Sequence, residues 1–415
     1  MKKMSLQTIT KTFKFGLLSF SLMLFLAACD DDPSTPINPG TGSATDFIGA
    51  VYAMTNGNGQ GADATNSVVA YGRNEDGTLE LIGTFGTGGQ GGDFDGPEGL
   101  DPLISAYALT KSDDNRFVFA TNAGSNTISV FRVNDDFSLS LTDQAATNGV
   151  GPNSIAYYNG IVYVSNIDAD GTFNGEPDQE GNLYGYRIDD SGNLSPISGS
   201  TRVLANRPSA IQFSPNGDFL AVTSINSGSS ALASGSEDEL VIYAVGGDGT
   251  LSVAPTDAAT STLRGNAEGR NLPSAIGFQI VGDNYVIVTE AREFQPDGTP
   301  PAFTALQSGS VSTWQINADG SLTAISQDVA SGDRATESGR TACWIDFANS
   351  GDVFFVSNAI EAGLASFGFD NGNVWLMNEI AAVGTGAGTT TDPGQAFRTT
   401  EGWIDLWISD DGRHL

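Results

Sequence analysis

The chain is poor in the groups that most enzymes use for proton transfer. It has one histidine, His414, and five lysines, four of which lie among its first 14 residues. It has two cysteines, Cys29 and Cys343. A zinc centre and a disulfide framework are thereby excluded, as no set of His and Cys with metal-ligand spacing exists, and His414, at the carboxyl end, is not expected to be central to any chemistry. No P-loop, dinucleotide fingerprint or nucleophile elbow occurs. Stretches with the 3.6-residue apolar periodicity of amphipathic helices are also missing, which excludes the α and α/β classes.

Positive charge is scarce as well. The formal net charge is −31, with Asp outnumbering Glu 35 to 14. Such a field repels phosphate backbones, so nucleic acid is excluded as a partner, whereas solubility and neutral or cationic partners are favoured. The bias also suits a salty medium, where screening relieves self-repulsion.

The one long apolar run stands at the amino end. Lys2, Lys3, Lys11 and Lys14 precede "FGLLSFSLMLFLAAC", which runs about 14 residues to Cys29, short of the roughly 17 to 25 needed to span a bilayer. Leu26, Ala27 and Ala28 before Cys29 resemble a lipobox, so residues 1–28 read as a cleaved signal peptide and Cys29 as the lipidated residue. Cleavage there removes four lysines and no acid, taking the charge from −31 to −35. Residues 29–46, "CDDDPSTPINPGTGSATD", are too polar to fold and read as a tether. Its acids resemble an export signal in some bacteria and a retention signal in others; the outer membrane or cell surface is the expected location. Cys343, in "TACWIDF", reads as a buried core residue.

Residues 47–415 carry a recurring turn unit: "YGRNEDGTLEL" at Tyr71, "FRVNDDFSLSL" at Phe131, "YRIDDSGNLSP" at Tyr186, "YAVGGDGTLSV" at Tyr243, "WQINADGSLTA" at Trp314 and "FGFDNGNVWLM" at Phe367. Each is an alternating apolar strand that breaks at an Asp/Asn/Gly turn and resumes. A second hairpin precedes several of them, as in "IQFSPNGDFLAVTS" and "IDFANSGDVFFVSN". Repeated four-stranded antiparallel units predict an all-β propeller. From Ile155 through Ile211, Ile276, Ile345 and Ile404 the repeat exceeds the roughly 40 to 50 residues of common blades, the excess lying in loops.

The "SPNGDFLAVT" hairpin followed by an aromatic strand and "DGxL" resembles the seven-bladed lactonase-like propellers, which include 6-phosphogluconolactonase and carboxymuconate cycloisomerase. "VIVTEA" with "ACWIDF" and "GDVFFVSNA" is similar to a secreted bacterial branch of that family. The resemblance covers about residues 47–415. It implies a lactone hydrolase or cycloisomerase. Enzymes of the family place arginine and histidine in a "GPRH" segment before an inner strand; here "NRPSAIQF" has Ser209 and Ala210 there, with Arg207 alone basic. Scattered arginines in an acidic field also suit a phosphorylated lactone poorly.

Six hairpin units and the beginning of a seventh blade, "EGWIDLWIS", are present. An open ring then predicts a strand at 403–408 and a first sheet without its innermost strand. In the alternative, "WIDLWIS" pairs with "AVYAMTN" and closes six blades.

Candidate site residues follow from the expectation that ligands meet strand ends at a central channel mouth. Second strands end in Thr121-Asn122, Ser165-Asn166 and Ser357-Asn358, but Thr289-Glu290 in the fifth unit, with Arg292 two residues on. Glu290 is thus the candidate general base, with Arg207 and Arg292 to steady an anionic intermediate. A structural ion pair between Glu290 and Arg292 is the alternative, and Asn122, Asn166 and Asn358 serve either a ligand or their own turns. Trp344 and Trp403, each followed two residues later by Asp346 or Asp405, suit a neutral sugar or pack between blades. Asp168, Asp170, Asn174, Glu176 and Asp178, and likewise Asp93, Asp95, Glu98 and Asp101, offer hard oxygens for calcium or form solvated turns; neither set has EF-hand spacing. No cofactor is required. The expected protein is a monomeric, membrane-anchored enzyme or a binding module for a saccharide, peptide or partner protein. Cys29→Ser should abolish incorporation of labelled fatty acid, because an alcohol cannot replace the thiol; equal label in both proteins would refute the anchor.

Overall fold

The recurring turn builds itself from its own side chains. In "NEDGT" the Asp76 carboxylate accepts the Thr78 amide at 3.0 Å and its hydroxyl at 2.6 Å. Asp136 with Ser138, Asp248 with Thr250 and Asp319 with Ser321 repeat the clamp. These hydrogen bonds hold all four carboxyls below the usual carboxylate range. The chain then turns back through a residue at positive φ: Gly77 at 86°, Gly249 at 80°, Gly320 at 82°. Glycine takes that conformation without a Cβ clash. In "NDDFS" the place is held by Phe137 at 59°. Its carbonyl accepts the Tyr52 hydroxyl at 3.0 Å, and burial, aided by Asp136, pushes that phenol up to about 12.

These hairpins are the outer halves of six antiparallel sheets in a computed structural model of the chain. The structure describes residues 47–58, 65–92, 102–103, 105–169, 180–225, 239–259, 274–291, 309–332, 342–358, 363–383, 405–409, 412 and 414–415. The first sheet has β1 (Gly49–Met54), β2 (Ser67–Arg73) and β3 (Leu79–Gly86). The second has β4 (Leu109–Lys111), β5 (Phe117–Asn122), β6 (Thr127–Val133) and β7 (Leu139–Ala146). The third has β8 (Val150–Tyr158), β9 (Ile161–Asp168), β10 (Asn182–Ile188), β11 (Leu194–Pro196) and the short β12 (Arg202–Val203). The fourth has β13 (Pro208–Phe213), β14 (Phe219–Ser224), β15 (Leu240–Ala244) and β16 (Asp257–Ala259). The fifth has β17 (Ser274–Val281), β18 (Tyr285–Ala291), β19 (Ser310–Ile316), β20 (Leu322–Ala324) and β21 (Val329–Ala330). The sixth has β22 (Ala342–Phe347), β23 (Val353–Asn358), β24 (Gly363–Asp370) and β25 (Asn373–Val383). Neighbours in sequence pair within each sheet, so the fold is an all-β propeller of four-stranded blades.

The second strands are apolar throughout because both faces are covered: Phe117 to Asn122 and Phe219 to Ser224 are buried at every position. Packing between blades is largely aromatic. Tyr285 of the fifth sheet and Phe369 of the sixth meet edge to face with centroids 5.8 Å apart, against a cluster that joins Ile287 and Val311 of the fifth sheet to Ile345 and Val356 of the sixth.

Among the described residues the first sheet has three strands, and β1 pairs with β2 alone, so it has no inner strand. The strand expected at 403–408 is not formed in its described part: residues 405–409 are irregular. They lie beside β22, where the Ile408 amide donates to Asp346 Oδ2 at 2.7 Å, much as the Ile280 amide donates to Gln212 of the preceding blade. A side chain holds the segment in the place of a next inner strand. Trp403 lies outside the described residues.

Replacing Phe137 by glycine should stabilise the protein by up to about 1 kcal/mol. Relief of a left-handed residue, about 1 to 2 kcal/mol, outweighs the roughly 0.5 to 1 kcal/mol entropic cost of glycine. A melting temperature below the parent's would contradict it.

Candidate functional site

The inner strands share a device that the sequence does not advertise. β8, β13, β17 and β22 each shift register against their neighbour near the start, between Pro152 and Ser154, Pro208 and Ala210, Ala275 and Phe278, and Ala342 and Trp344. Such bulges re-aim side chains and recur beside functional sites. The recurring Ser or Thr of the second strand reaches into the bulge: Ser165 Oγ donates to Asn153 Oδ1 at 2.8 Å, and Thr223 pairs with Ser209 at 3.0 Å. From there the contacts cross to the next blade. Asn153 Nδ2 donates to the Pro208 carbonyl at 2.8 Å, Ser209 Oγ to that of Ala275 at 2.5 Å, and the Thr289 hydroxyl to that of Cys343.

The circuit closes through residues 105–107. Trp344 Nε1 donates to the Ser105 carbonyl at 3.0 Å, and the Ile155 amide to that of Tyr107 at 2.9 Å. The Ala106 amide meets the Ser209 carbonyl at 3.1 Å, and the Tyr107 hydroxyl the Phe278 carbonyl. This short segment therefore touches four blades. Ala106, Ala210, Ala275, Ile276, Cys343 and Trp344 fill the middle as one apolar cluster. The polar groups that could meet a ligand lie at the ends of the second strands.

They form a ring of cross-strand pairs, where each second strand ends beside the start of the third. The first sheet has Asn56 beside Asn66, the second Asn122 beside Thr127, the third Asn166 beside Asn182. The fourth has Ser224 beside Glu239, the fifth Glu290 beside Ser310, the sixth Asn358 beside Gly363. Carboxylates occur in two adjacent blades with the residue types exchanged, so a serine faces a glutamate in both. Glu239 and Glu290 are fully buried. Ser310 Oγ donates to Glu290 Oε2. Sequence reasoning found Glu290 but missed Glu239, Asn56 and Asn66, because Glu239 follows a long loop and belongs to the third strand.

Arg207 is buried immediately before β13, and its carbonyl accepts the Ile225 amide at 3.0 Å. It therefore flanks the Ser224–Ile225 step, while Glu239 pairs with Ser224 from the strand beyond. Arg207, Ser224 and Glu239 thus lie at the same end of the fourth blade.

The other predicted residues are spread over the belt and the ring. Asn122 is engaged internally, donating to Thr127 and Ser129 and accepting from Asn66. Asn166 donates to Asn182 Oδ1 at 2.7 Å and to the Thr147 carbonyl at 3.1 Å. Trp344 belongs to the central belt. Asp346 joins blades, accepting from Gln279 at 3.1 Å and from Ile408. Asp405 is exposed, and Asp168 is buried at the end of β9. Cys343 is buried and forms no disulfide among the described residues. His414 sits beside Gly77 in a first-sheet turn, at the end opposite the ring. Among the described residues no group of three or more metal-binding side chains occurs. Cys29, Arg292, Asp170, Asn174, Glu176, Asp178, Asp93, Asp95, Glu98 and Asp101 lie outside them.

Packed inner strands, sheets in serial order and a polar ring at one end define a β-propeller. Residues 62–173 match the family described as lactonase, seven-bladed β-propeller. Among solved structures, the chain is similar to the periplasmic gluconolactonase PpgL of Pseudomonas aeruginosa, at 16% identity over 80% of this chain and 82% of that one, with a TM-score of 0.55. A Lactobacillus plantarum protein gives 16% identity, 83% and 84% coverage and a TM-score of 0.55. A candidate 6-phosphogluconolactonase from Bacteroides uniformis gives 15%, 88% and 87%, and 0.54. At these identities the likeness is one of fold. A comparison with curated protein sequences finds no match.

Trp344→Phe, which keeps the ring but removes the donor to Ser105, should cost about 1 to 3 kcal/mol, because a buried carbonyl loses its partner. Unchanged denaturant midpoints would show that the belt does not hold the blades.

Proposed function

We propose that the chain is a lipid-anchored, extracytoplasmic lactonase-like hydrolase acting on a neutral lactone at the ring of the fourth and fifth blades. The observation that carries the reading is the pair of buried carboxylates, Glu239 and Glu290, in adjacent blades of a ring otherwise made of amides and hydroxyls, with the buried Arg207 at the same end of the fourth blade as Glu239. A base must hold a fixed orientation and be screened from bulk water to take a proton from an attacking water. Glu290 has both properties: it is fully buried, and Ser310 fixes one of its oxygens.

In this reading Glu290 takes a proton from water as the water oxygen bonds to the lactone carbonyl carbon. Charge develops on the carbonyl oxygen, where a guanidinium stabilises it; in this reading Arg207, buried at the same end of the fourth blade as Glu239, takes that role. The ring C–O bond then breaks, and the departing alkoxide takes up the proton, leaving a hydroxy acid. The gluconolactonase among the structural neighbours supports the substrate class. The lipobox-like Leu26 to Cys29 supports the location.

The single histidine lies away from the ring, and this favours a second reading, a non-catalytic binding module. A panel of sugar and aromatic lactones separates the two. Turnover is expected for at least one neutral lactone, with Glu290→Gln lowering kcat by about 10² to 10⁴, the usual worth of a general base. Hydrolysis no faster than in buffer, or unaffected by the substitution, would end the catalytic reading.

A further inference from the structure

The sixth blade breaks the pattern of the ring. In the second, third and fifth blades the residue ending the second strand has a side-chain partner across the ladder: Thr127 for Asn122, Asn182 for Asn166, Ser310 for Glu290. Asn358 faces Gly363, which has no side chain to offer. Asn358 is fully buried, and neither its Oδ1 nor its Nδ2 has a hydrogen-bond partner. Burying an amide with both ends unsatisfied is costly, and native proteins keep few such groups without a purpose.

We infer that Asn358, which faces Gly363 across the ladder, is a binding subsite for a pair of adjacent hydroxyl groups on the ligand. The proposal rests on the reading of this ring as the ligand site, and it names the substrate class as polyhydroxylated. An amide held in one orientation presents an acceptor and a donor side by side, and a vicinal diol answers both. The rest of the ring selects the same chemistry. Asn66 Oδ1 and Asn166 Oδ1 are buried acceptors without a donor. A ring supplied with acceptors matches a ligand rich in O–H donors and matches peptide carbonyls poorly.

The test uses the full chain and 1,5-anhydroglucitol, a neutral ring with vicinal hydroxyls and no lactone bond to hydrolyse, with tetrahydropyran as the control that lacks them. Titration calorimetry should show binding of the first and not the second. Asn358→Ala should weaken it at least about tenfold, the worth of one to two hydrogen bonds. The same substitution should leave the melting temperature unchanged or raised, since an unsatisfied buried amide is removed; a purely structural asparagine would lower it. Gly363→Asn, which recreates the Asn166–Asn182 pair, should give Asn358 an internal partner and abolish binding; should it not fold, Asn358→Ala decides. No binding by the parent, equal binding of tetrahydropyran, or undiminished affinity in Asn358→Ala overturns the inference. Binding that follows this pattern without turnover of any lactone would sustain the diol subsite and remove the hydrolase.

Discussion

The structure depends on the hydrogen bonds that pass from one inner strand to the next at the bulges. A blade of four strands cannot bury both faces by itself, and stacking blades covers them only if the inner strands are held at a fixed separation. Asn153, Ser209, Thr289 and Trp344 do this by bonding a carbonyl of the neighbouring unit, and residues 105–107 close the circuit across the axis. These donors are buried, where a hydrogen bond is electrostatically stronger and an unmade one more costly. The belt is therefore both fastening and register mark.

Its position also explains the site. Ala106, Ala210, Ala275 and their neighbours pack as one apolar cluster among the inner strands, and the polar residues stand at the second-strand ends. There each blade contributes one pair, and two adjacent pairs carry carboxylates. Chemistry in such a fold is a matter of which blade departs from the repeat: Glu239 and Glu290 depart by charge, and the Asn358–Gly363 pair departs by lacking a partner. Where Ser209 stands in place of a basic residue, the side chain serves the belt instead.

Much of this was legible in the sequence for a local reason. The Asp-Gly turns satisfy themselves within five residues, so "NEDGT" and "NADGS" announce hairpins without reference to anything distant. The paired apolar strands were equally plain, because residues covered on both faces have to be apolar. Glu290 was visible as an exception to a repeated dipeptide. Glu239 was not, since its equivalence to Ser310 exists only across the ladder, and long loops of unequal length hide the register. The role of Trp344 was hidden likewise, its partner Ser105 being 239 residues away.

The sequence by itself determined that this chain is an all-β propeller of repeated hairpins, strongly acidic and nearly without histidine, because strand period, turn chemistry and charge are properties of neighbouring residues. The tertiary structure alone decided that the inner strands are tied to one another at their bulges, that the serines and threonines of the second strands hold the belt, and that two glutamates and one unmatched asparagine share a ring. Those facts depend on which strand ends meet in space, and that is settled only when the bulges set the register of each blade against the next.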